Sequence, residues 1–467
     1  MHRYQQLASQ LKQQIAANTW RSGEKIPSLR ATSKSFSVSS ATALQAYQIL
    51  EAEGWIKARP QSGYFVTPRL DVERTDAQAP LIRPQYTDEL YEFLKHNTEV
   101  DIALGSAFPS PNLFPIADLN RHLAAAGRKL PSDAIIQNMP PGNEALRRSI
   151  AQRYIAQGIA VSHQDIVLTS GAMEALNLSL EVVCVPGDTV VIESPAFYGA
   201  LQAIERLKLK AIEVVVDPIA GLCLDSLANV LETNDVKACW LMANFQNPTG
   251  ASMPDEKKRL IVELAEQHDV YIVEDDVYSE LYFDDVKPTP IKHWDVKDKV
   301  LLCGSFSKSL CPGYRLGWVV NRTLHEKLQK QQMISTLAGS APVQQGVAHY
   351  LQYESYDNHL RKLRKQLSSR QAAFIELLKR HIPSDTTIYA PNGGYFIWLE
   401  LARDIDTYEV YRHLCQLGIS IGYGRLFSSK QQYQSCMRLN ISLENSEKLT
   451  EAIELLGQLL HEKVNNC

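Results

Sequence analysis

Long hydrophobic runs are missing from this chain of 467 residues: no apolar stretch reaches the ~18 residues that a membrane-spanning helix needs. The opening Met1-His2-Arg3-Tyr4-Gln5-Gln6 has no apolar core and does not read as a secretory signal. Cysteine is sparse, eight in all, and none is spaced Cys-x-x-Cys, which argues against a zinc site and for the reducing cytoplasm. What remains is ordinary for a globular protein, with 45% hydrophobic and 21% charged residues. The length is too great for one ordinary core, so two or more domains are expected.

The net charge of −4 hides an asymmetry. Residues 1–70 carry nine Lys/Arg against three Asp/Glu, a net +6, which leaves −10 on the rest. A small basic module on a large acidic body points to a polyanion met by the first segment alone. Apolar residues recur at Leu7, Leu11 and Ile15, the spacing of a helix. Ser28 can cap a second short helix to about Phe36, and Ser39 or Ser40 a third, with Ala43, Ala46, Tyr47 and Leu50 inward and Gly54 at its end. Ile56–Arg59 and Tyr64–Val66 read as two strands around the turn Pro60-Gln61-Ser62-Gly63. Three helices and a hairpin make a winged helix-turn-helix.

Over residues 1–66 this segment resembles GntR-type regulators, on Gly23, Ile26-Pro27-Ser28-Leu29-Arg30, Ser37-Val38-Ser39, Thr42, the run from Tyr47 to Gly54, Arg59, Gly63 and Phe65-Val66. A helix starting at Ser39 would bring Ser40 and Thr42 to the major groove. Arg30 and Arg59 would grip phosphates, and Gly63 would let the wing tip approach the minor groove. The competing readings are a helical domain that binds another protein and, for Ser40 and Thr42, simple capping.

From residue 68 to 98 prolines interrupt a stretch of mixed charge, read as a linker with partial helix near Asp88–Lys95. Beyond it, strand-like runs at Ile166–Leu168, Thr189–Ile192, Ala211–Val216, Ala238–Met242, Val270–Val273 and Val300–Cys303 alternate with helical segments such as Ala172–Val183. That alternation predicts a mainly parallel sheet covered on both faces. A smaller C-terminal lobe follows, with long helices around His349–His381.

The chemistry concentrates in Ser305-Phe306-Ser307-Lys308, followed by Arg315. Pyridoxal 5'-phosphate requires an amine to form an imine, hydroxyls for its phosphate and a fixed cation nearby. Lys308, with Ser305, Ser307 and Arg315, supplies all three at short range, where the bland reading is a surface lysine. Asn247, in Asn244-Phe245-Gln246-Asn247-Pro248-Thr249-Gly250, could donate to the cofactor's phenolic oxygen, and Tyr278 could share it. Asp275 could pair with the pyridine nitrogen, with Asp276 as the alternative. Gly171 opens a helix whose Ala172 and Met173 amides would meet the phosphate. Phe197 is a candidate to stack on the ring, with Tyr198 its rival and core packing the bland alternative.

Across about residues 100–460 these elements, with Pro391-Asn392-Gly393-Gly394 and Arg438-Leu439-Asn440, resemble fold-type I pyridoxal-phosphate enzymes of the aspartate aminotransferase superfamily. The resemblance implies that Arg438 holds a substrate α-carboxylate, where the alternative is a structural salt bridge, and that the backbone at Gly105 passes near the substrate. The two resemblances in this order are similar to the MocR subfamily of GntR regulators. They imply a winged helix-turn-helix over 1–67, a linker over 68–98, and an α/β aminotransferase-like domain over 99–465, assembled as a domain-swapped, head-to-tail homodimer. The expected partners are an operator duplex and an amino acid or other amine, with no membrane and no metal. The segment before Pro140-Pro141-Gly142 departs from the family: Gln137-Asn138-Met139 stands where a tyrosine usually reaches the neighbouring subunit's phosphate. The function expected is a transcription regulator that senses pyridoxal phosphate, an amine, or both. An active aminotransferase with a fused DNA-binding domain is the alternative, and a cofactor-holding scaffold a third.

Overall fold

A computed structural model describes residues 3–16, 19–20, 23–59, 62–67, 88–131, 133, 139–402 and 404–466. The chain divides into two units, Met1–Thr75 and Asp76–Cys467.

In the first unit, helices Arg3–Ala16, Leu29–Ser35 and Ser40–Ala52 precede strands β1 (Ile56–Arg59) and β2 (Gly63–Val66). Ser28 and Ser39 cap the second and third helices, each side chain accepting a backbone N–H three residues on, which satisfies an otherwise orphaned donor. The stripe Ala43, Ala46, Tyr47 and Leu50 is buried against Leu7, Leu11 and Ile15, as the periodicity predicted. The Tyr47 hydroxyl lies 2.7 Å from both the Pro27 carbonyl, to which it donates, and Thr32 Oγ1, fixing the third helix to the second. Residues 23–26, which precede the second helix, have a definite role. Ile26 N donates to Tyr64 O and Val66 N to Glu24 O, so this segment lines the free edge of β2.

The larger unit begins its described part with helix Asp88–Glu99, twelve residues where sequence suggested partial helix inside a linker. Phe93 is buried against Tyr198, Tyr411 and Tyr423, so this helix packs onto the unit's core through Leu90 and Phe93. Residues 68–87 lie outside the described residues. Strand β3 (Ile102–Ala103) leads into the sheet strands β4 (Ile166–Thr169), β5 (Thr189–Ser194), β6 (Lys210–Asp217), β7 (Gly221–Leu222), β8 (Val236–Leu241), β9 (Tyr271–Asp275), β10 (Val300–Ser305) and β11 (Gly317–Val320). Their order is β4-β11-β10-β9-β8-β5-β6-β7; β11 and β7 run antiparallel to their neighbours and the rest are parallel. Side chains alternate between faces: Val190 and Ile192 of β5 enter one apolar cluster and Val191 another, which explains why these strands read as unbroken apolar runs.

A second sheet, order β12-β13-β16-β15, is built from β12 (Thr387–Tyr389), β13 (Phe396–Glu400), β15 (Gly422–Tyr423) and β16 (Cys436–Asn440), while β14 (Ile419–Ser420) pairs with β3. Helices Tyr356–His381, Thr407–Gln416 and Glu447–Asn466 belong to this lobe. Among the described residues no helix is long and apolar enough to cross a membrane, and seven cysteines are free.

Candidate functional site

In an open parallel sheet, ligands bind beyond the carboxyl ends of the strands. Here the sheet brings six segments to that one edge. Ser170–Gly171 follows β4, Pro195–Phe197 follows β5, Asn244–Asn247 follows β8, and Asp275 and Ser305 end β9 and β10. Because β11 is antiparallel, its beginning lies on the same edge, and Arg315 stands just before it.

Lys308 lies beyond β10. Its Nζ donates to the Ala107 carbonyl at 2.7 Å and sits 4.9 Å from the Phe108 ring centroid. Burial, then the positive Arg438 and Arg315, bring its pKa down to about 7, with Asp275 opposing. A lysine so placed carries a neutral, nucleophilic amine near neutral pH. Asp275 is 2% exposed, and burial and then the neighbouring Asp276 push its pKa up to about 7. Its Oδ1 has no hydrogen-bond partner among the described residues. Asp276 is engaged on both oxygens, by Asn244 Nδ2 at 3.0 Å and Ser279 Oγ at 2.7 Å.

At the β4 end, Gly171 has φ +100°, and a Cβ there would stand 2.5 Å from Arg315 Nη2. The guanidinium therefore lies against the glycine that opens helix Ala172–Val183, whose N-terminus has no side-chain cap. Uncapped Ala172 and Met173 amides, the adjacent exposed Arg315 and the helix dipole together favour an anion. Ser305 Oγ accepts from Ser307 N at 3.4 Å, while the buried Ser307 Oγ has no partner among the described residues.

Arg438, on β16, is 0% exposed and makes no ion pair among the described residues. Its Nη1 donates to Asn247 Oδ1 at 2.7 Å and its Nη2 to the Gly105 carbonyl, and the buried Tyr198 lies beside it. Its carbon centre lies 4.3 Å from the Phe396 ring centroid and 5.1 Å from that of Phe427. The structural salt bridge that sequence left open is thus not what these neighbours provide. A buried guanidinium without a carboxylate is a strong demand for one. Phe197 is half-buried beside Tyr198, ring centroids 4.7 Å apart, whereas Tyr198 is buried and joins Phe93 in the core. Tyr278 is buried, 5.6 Å from Tyr395 between ring centroids.

Side-chain motifs did not disclose three participants. The Ala107 carbonyl accepts from both Lys308 and Tyr395, whose hydroxyl lies at 3.0 Å. Asn440 Nδ2 holds the same segment through the Ser106 and Phe108 carbonyls at 3.0 and 2.8 Å. Tyr395 and Asn440 directly follow or end motifs noted in the sequence; the Ala107 oxygen is backbone and leaves no residue signal. Gln137 and Asn138 lie outside the described residues.

In the first unit, Arg30, Lys25, Lys57 and Arg59 are exposed. Arg59 stacks on Phe65, 4.4 Å from the ring centroid, and Gly63, φ +106°, leaves room for the Lys25 stem, which a Cβ would meet at 3.0 Å. Ser40 is exposed; the Thr42 hydroxyl is 2.8 Å from the capping Ser39 Oγ.

An amine, a buried carboxyl and an anion cradle at one sheet edge, with the buried Arg438 guanidinium hydrogen-bonded to Asn247 there, are a fitting set for a phosphorylated pyridine aldehyde and an α-amino acid. Comparison with known proteins agrees. Residues 124–456 match "Aminotransferase class I and II" and residues 3–66 match "Bacterial regulatory proteins, gntR family". The chain is 43% identical to the uncharacterized HTH-type transcriptional regulator YdcR of Escherichia coli (strain K12), over 99% of this chain and 100% of that one. The multiple substrate aminotransferase of Thermococcus profundus superposes with TM-score 0.75 at 28% identity, covering 82% of this chain and 97% of that one. LysN, an α-aminoadipate aminotransferase of Thermus thermophilus solved with N-(5'-phosphopyridoxyl)-L-leucine, superposes with TM-score 0.74 at 26% identity, covering 82% and 97%. The aminotransferase class I and II fold implies dependence on pyridoxal 5'-phosphate. With both segments in one chain, this protein belongs to the MocR subfamily of GntR regulators, which join a helix-turn-helix to an aminotransferase class I and II domain.

Proposed function

We propose that the chain is a DNA-binding transcription regulator whose larger unit holds pyridoxal 5'-phosphate and senses an amino compound through it. The observation that carries this reading is a poised site in a chain with a basic winged helix: Lys308 with a pKa near neutral and, among the described residues, Asp275 Oδ1 without a hydrogen-bond partner and Arg438 without a carboxylate. Lys308 would hold the cofactor covalently. Gly171, Ala172, Met173, Ser305, Ser307 and Arg315 would take its phosphate, Asp275 its ring nitrogen, Asn247 and Tyr278 its phenolic oxygen, and Phe197 its ring face. When bound, the cofactor supplies an electron-withdrawing ring and an aldehyde that captures amines.

The side chains account for the rest. Asp275, its pKa raised to about 7 by burial and then by Asp276, would be the carboxylate partner of the ring nitrogen and would favour that nitrogen's protonated form. Arg438 offers a planar fork to an α-carboxylate, with Phe396 and Phe427 excluding water around it. Asn247 Oδ1 orients that fork and leaves its amide nitrogen to donate elsewhere. The Gly105 backbone borders the same place.

Arg30, Arg59 and the residues at the start of helix Ser40–Ala52, with Gly63 at the wing, would meet the duplex. The full chain would act as a homodimer in the cytoplasm, its ligand shifting the arrangement of two DNA-binding units by binding one arrangement better than the other. The retained Lys308, Asp275 and Arg438 favour a second reading, transamination at the same site.

Two measurements test the proposal together. Borohydride reduction and digestion of the holo-protein should place the cofactor on the Lys308 peptide. The same preparation should bind one specific duplex in a salt-sensitive manner, weakened by Arg30→Ala with cofactor retention unchanged. Rapid turnover of an amino acid without specific duplex binding would favour the enzyme instead.

A further inference from the structure

Resting on the DNA-binding reading, we propose that Gln45 is a specificity-determining residue that reads an adenine in the major groove, with Ala41 against a thymine methyl and Gln48 reading the next step. Successive residues of a helix turn by about 100°. Measured from the buried stripe Ala43, Ala46, Tyr47 and Leu50, the face pointing directly away carries Ala41, Gln45 and Gln48, all exposed. Ser40 and Leu44 lie to one side of that face. Thr42 lies to the other, half-buried, with its hydroxyl against the capping Ser39.

The composition of this face is informative. Helix Ser40–Ala52 contains no lysine or arginine, and its one acid, Glu51, accepts from Ala58 N at 2.8 Å. The unit's positive charge stands elsewhere, on exposed Lys25, Arg30, Lys34, Lys57 and Arg59. Phosphate attraction and base reading are therefore divided between elements. The cations around the helix complement the duplex backbone, and the helix presents only neutral groups to its floor.

A carboxamide carries one donor and one acceptor in a plane, which matches the N6 donor and N7 acceptor of adenine and mismatches guanine, whose major-groove edge presents two acceptors. Gln45 and Gln48 are three residues apart, about 4.5 Å along the helix axis. That is close to one base-pair rise of about 3.4 Å, so neighbouring pairs lie within reach of the two carboxamides. The methyl of Ala41, one turn before Gln45, is a contact for thymine rather than for a polar edge.

The test is selection from a randomised duplex library with the full-length holo-protein, its Gln45→Ala and Gln45→Arg variants, and Gln48→Ala. All three substitutions are at exposed positions, and matching thermal melts confirm that the unit still folds. The wild-type motif should contain an A·T pair at which Gln45→Ala loses discrimination by roughly 10- to 100-fold, other positions and the salt slope being unchanged. Gln45→Arg should turn that position to G·C, and Gln48→Ala should relax an adjacent position. A wild-type motif whose every position survives Gln45→Ala and Gln45→Arg would overturn this assignment and leave the DNA-binding reading standing. A wild-type protein that enriches no motif at all would overturn both.

Discussion

The two units of this chain work by opposite physics. The first places its charges in solvent: Lys25, Arg30, Lys34, Lys57 and Arg59 are exposed, and helix Ser40–Ala52 carries no lysine or arginine. The second withdraws its functional groups from water: Arg438 is 0% exposed, Asp275 2%, and Lys308 is held near neutrality chiefly by burial. Exposed charge acts at long range and weakens with salt, whereas buried charge acts at short range and responds to pH and to a matching ligand. A regulator of this design can therefore be addressed separately through its two halves, and each difference between them is open to attack.

The largest expected effect falls on the buried half. Lys308→Ala should abolish retention of the cofactor through gel filtration, seen as loss of visible absorption, while duplex binding by the ligand-free protein is unchanged. Next, Arg438→Met removes the guanidinium that faces Asn247 and Gly105. Binding of an α-amino acid should weaken by roughly 2–4 kcal/mol, about 30- to 1000-fold, with cofactor binding intact; the absorbance titration reads both.

A smaller effect separates the units by pH. The neutral amine is the form that captures the aldehyde, and Lys308 loses its proton at about 7 instead of near the ordinary lysine value. Capture by apo-protein should rise about tenfold per pH unit below 7 and level off above it. A profile still climbing at pH 9 would mean that burial and Arg438 do not depress this lysine. The smallest effect is on the exposed half. Arg30→Ala should lower the slope of log affinity against log salt by about one, and only by a few-fold the affinity at any one salt concentration.

Much of this architecture is legible in the residues, and the reason is side-chain periodicity. The stripe Ala43, Ala46, Tyr47, Leu50 and the caps Ser28 and Ser39 specify the helix-turn-helix because burial and capping are side-chain properties. The apolar runs of the parallel strands mark a sheet covered on both faces. Elements made by backbone pairing are less visible. The docking of residues 23–26 along β2 rests on main-chain N–H and C=O groups, which no residue identity announces. Strand β11 gives no strand signal in the sequence because its four residues are too short to show a period. In the site, the choice between Asp275 and Asp276 turned on which carboxylate finds local donors. Ser279 and Asn244 occupy Asp276, a three-dimensional fact. The Ala107 carbonyl, the resting partner of Lys308, is likewise a backbone atom, revealed only once the lobe is folded.

One measurement bears on the coupling of the two halves most directly: the affinity of holo-protein for its duplex, with and without an amino compound that shifts the cofactor's absorption. A ligand-dependent change in wild type, absent from Lys308→Ala, is the predicted result. Consumption of the amino compound with identical duplex affinity in its presence and absence would contradict it.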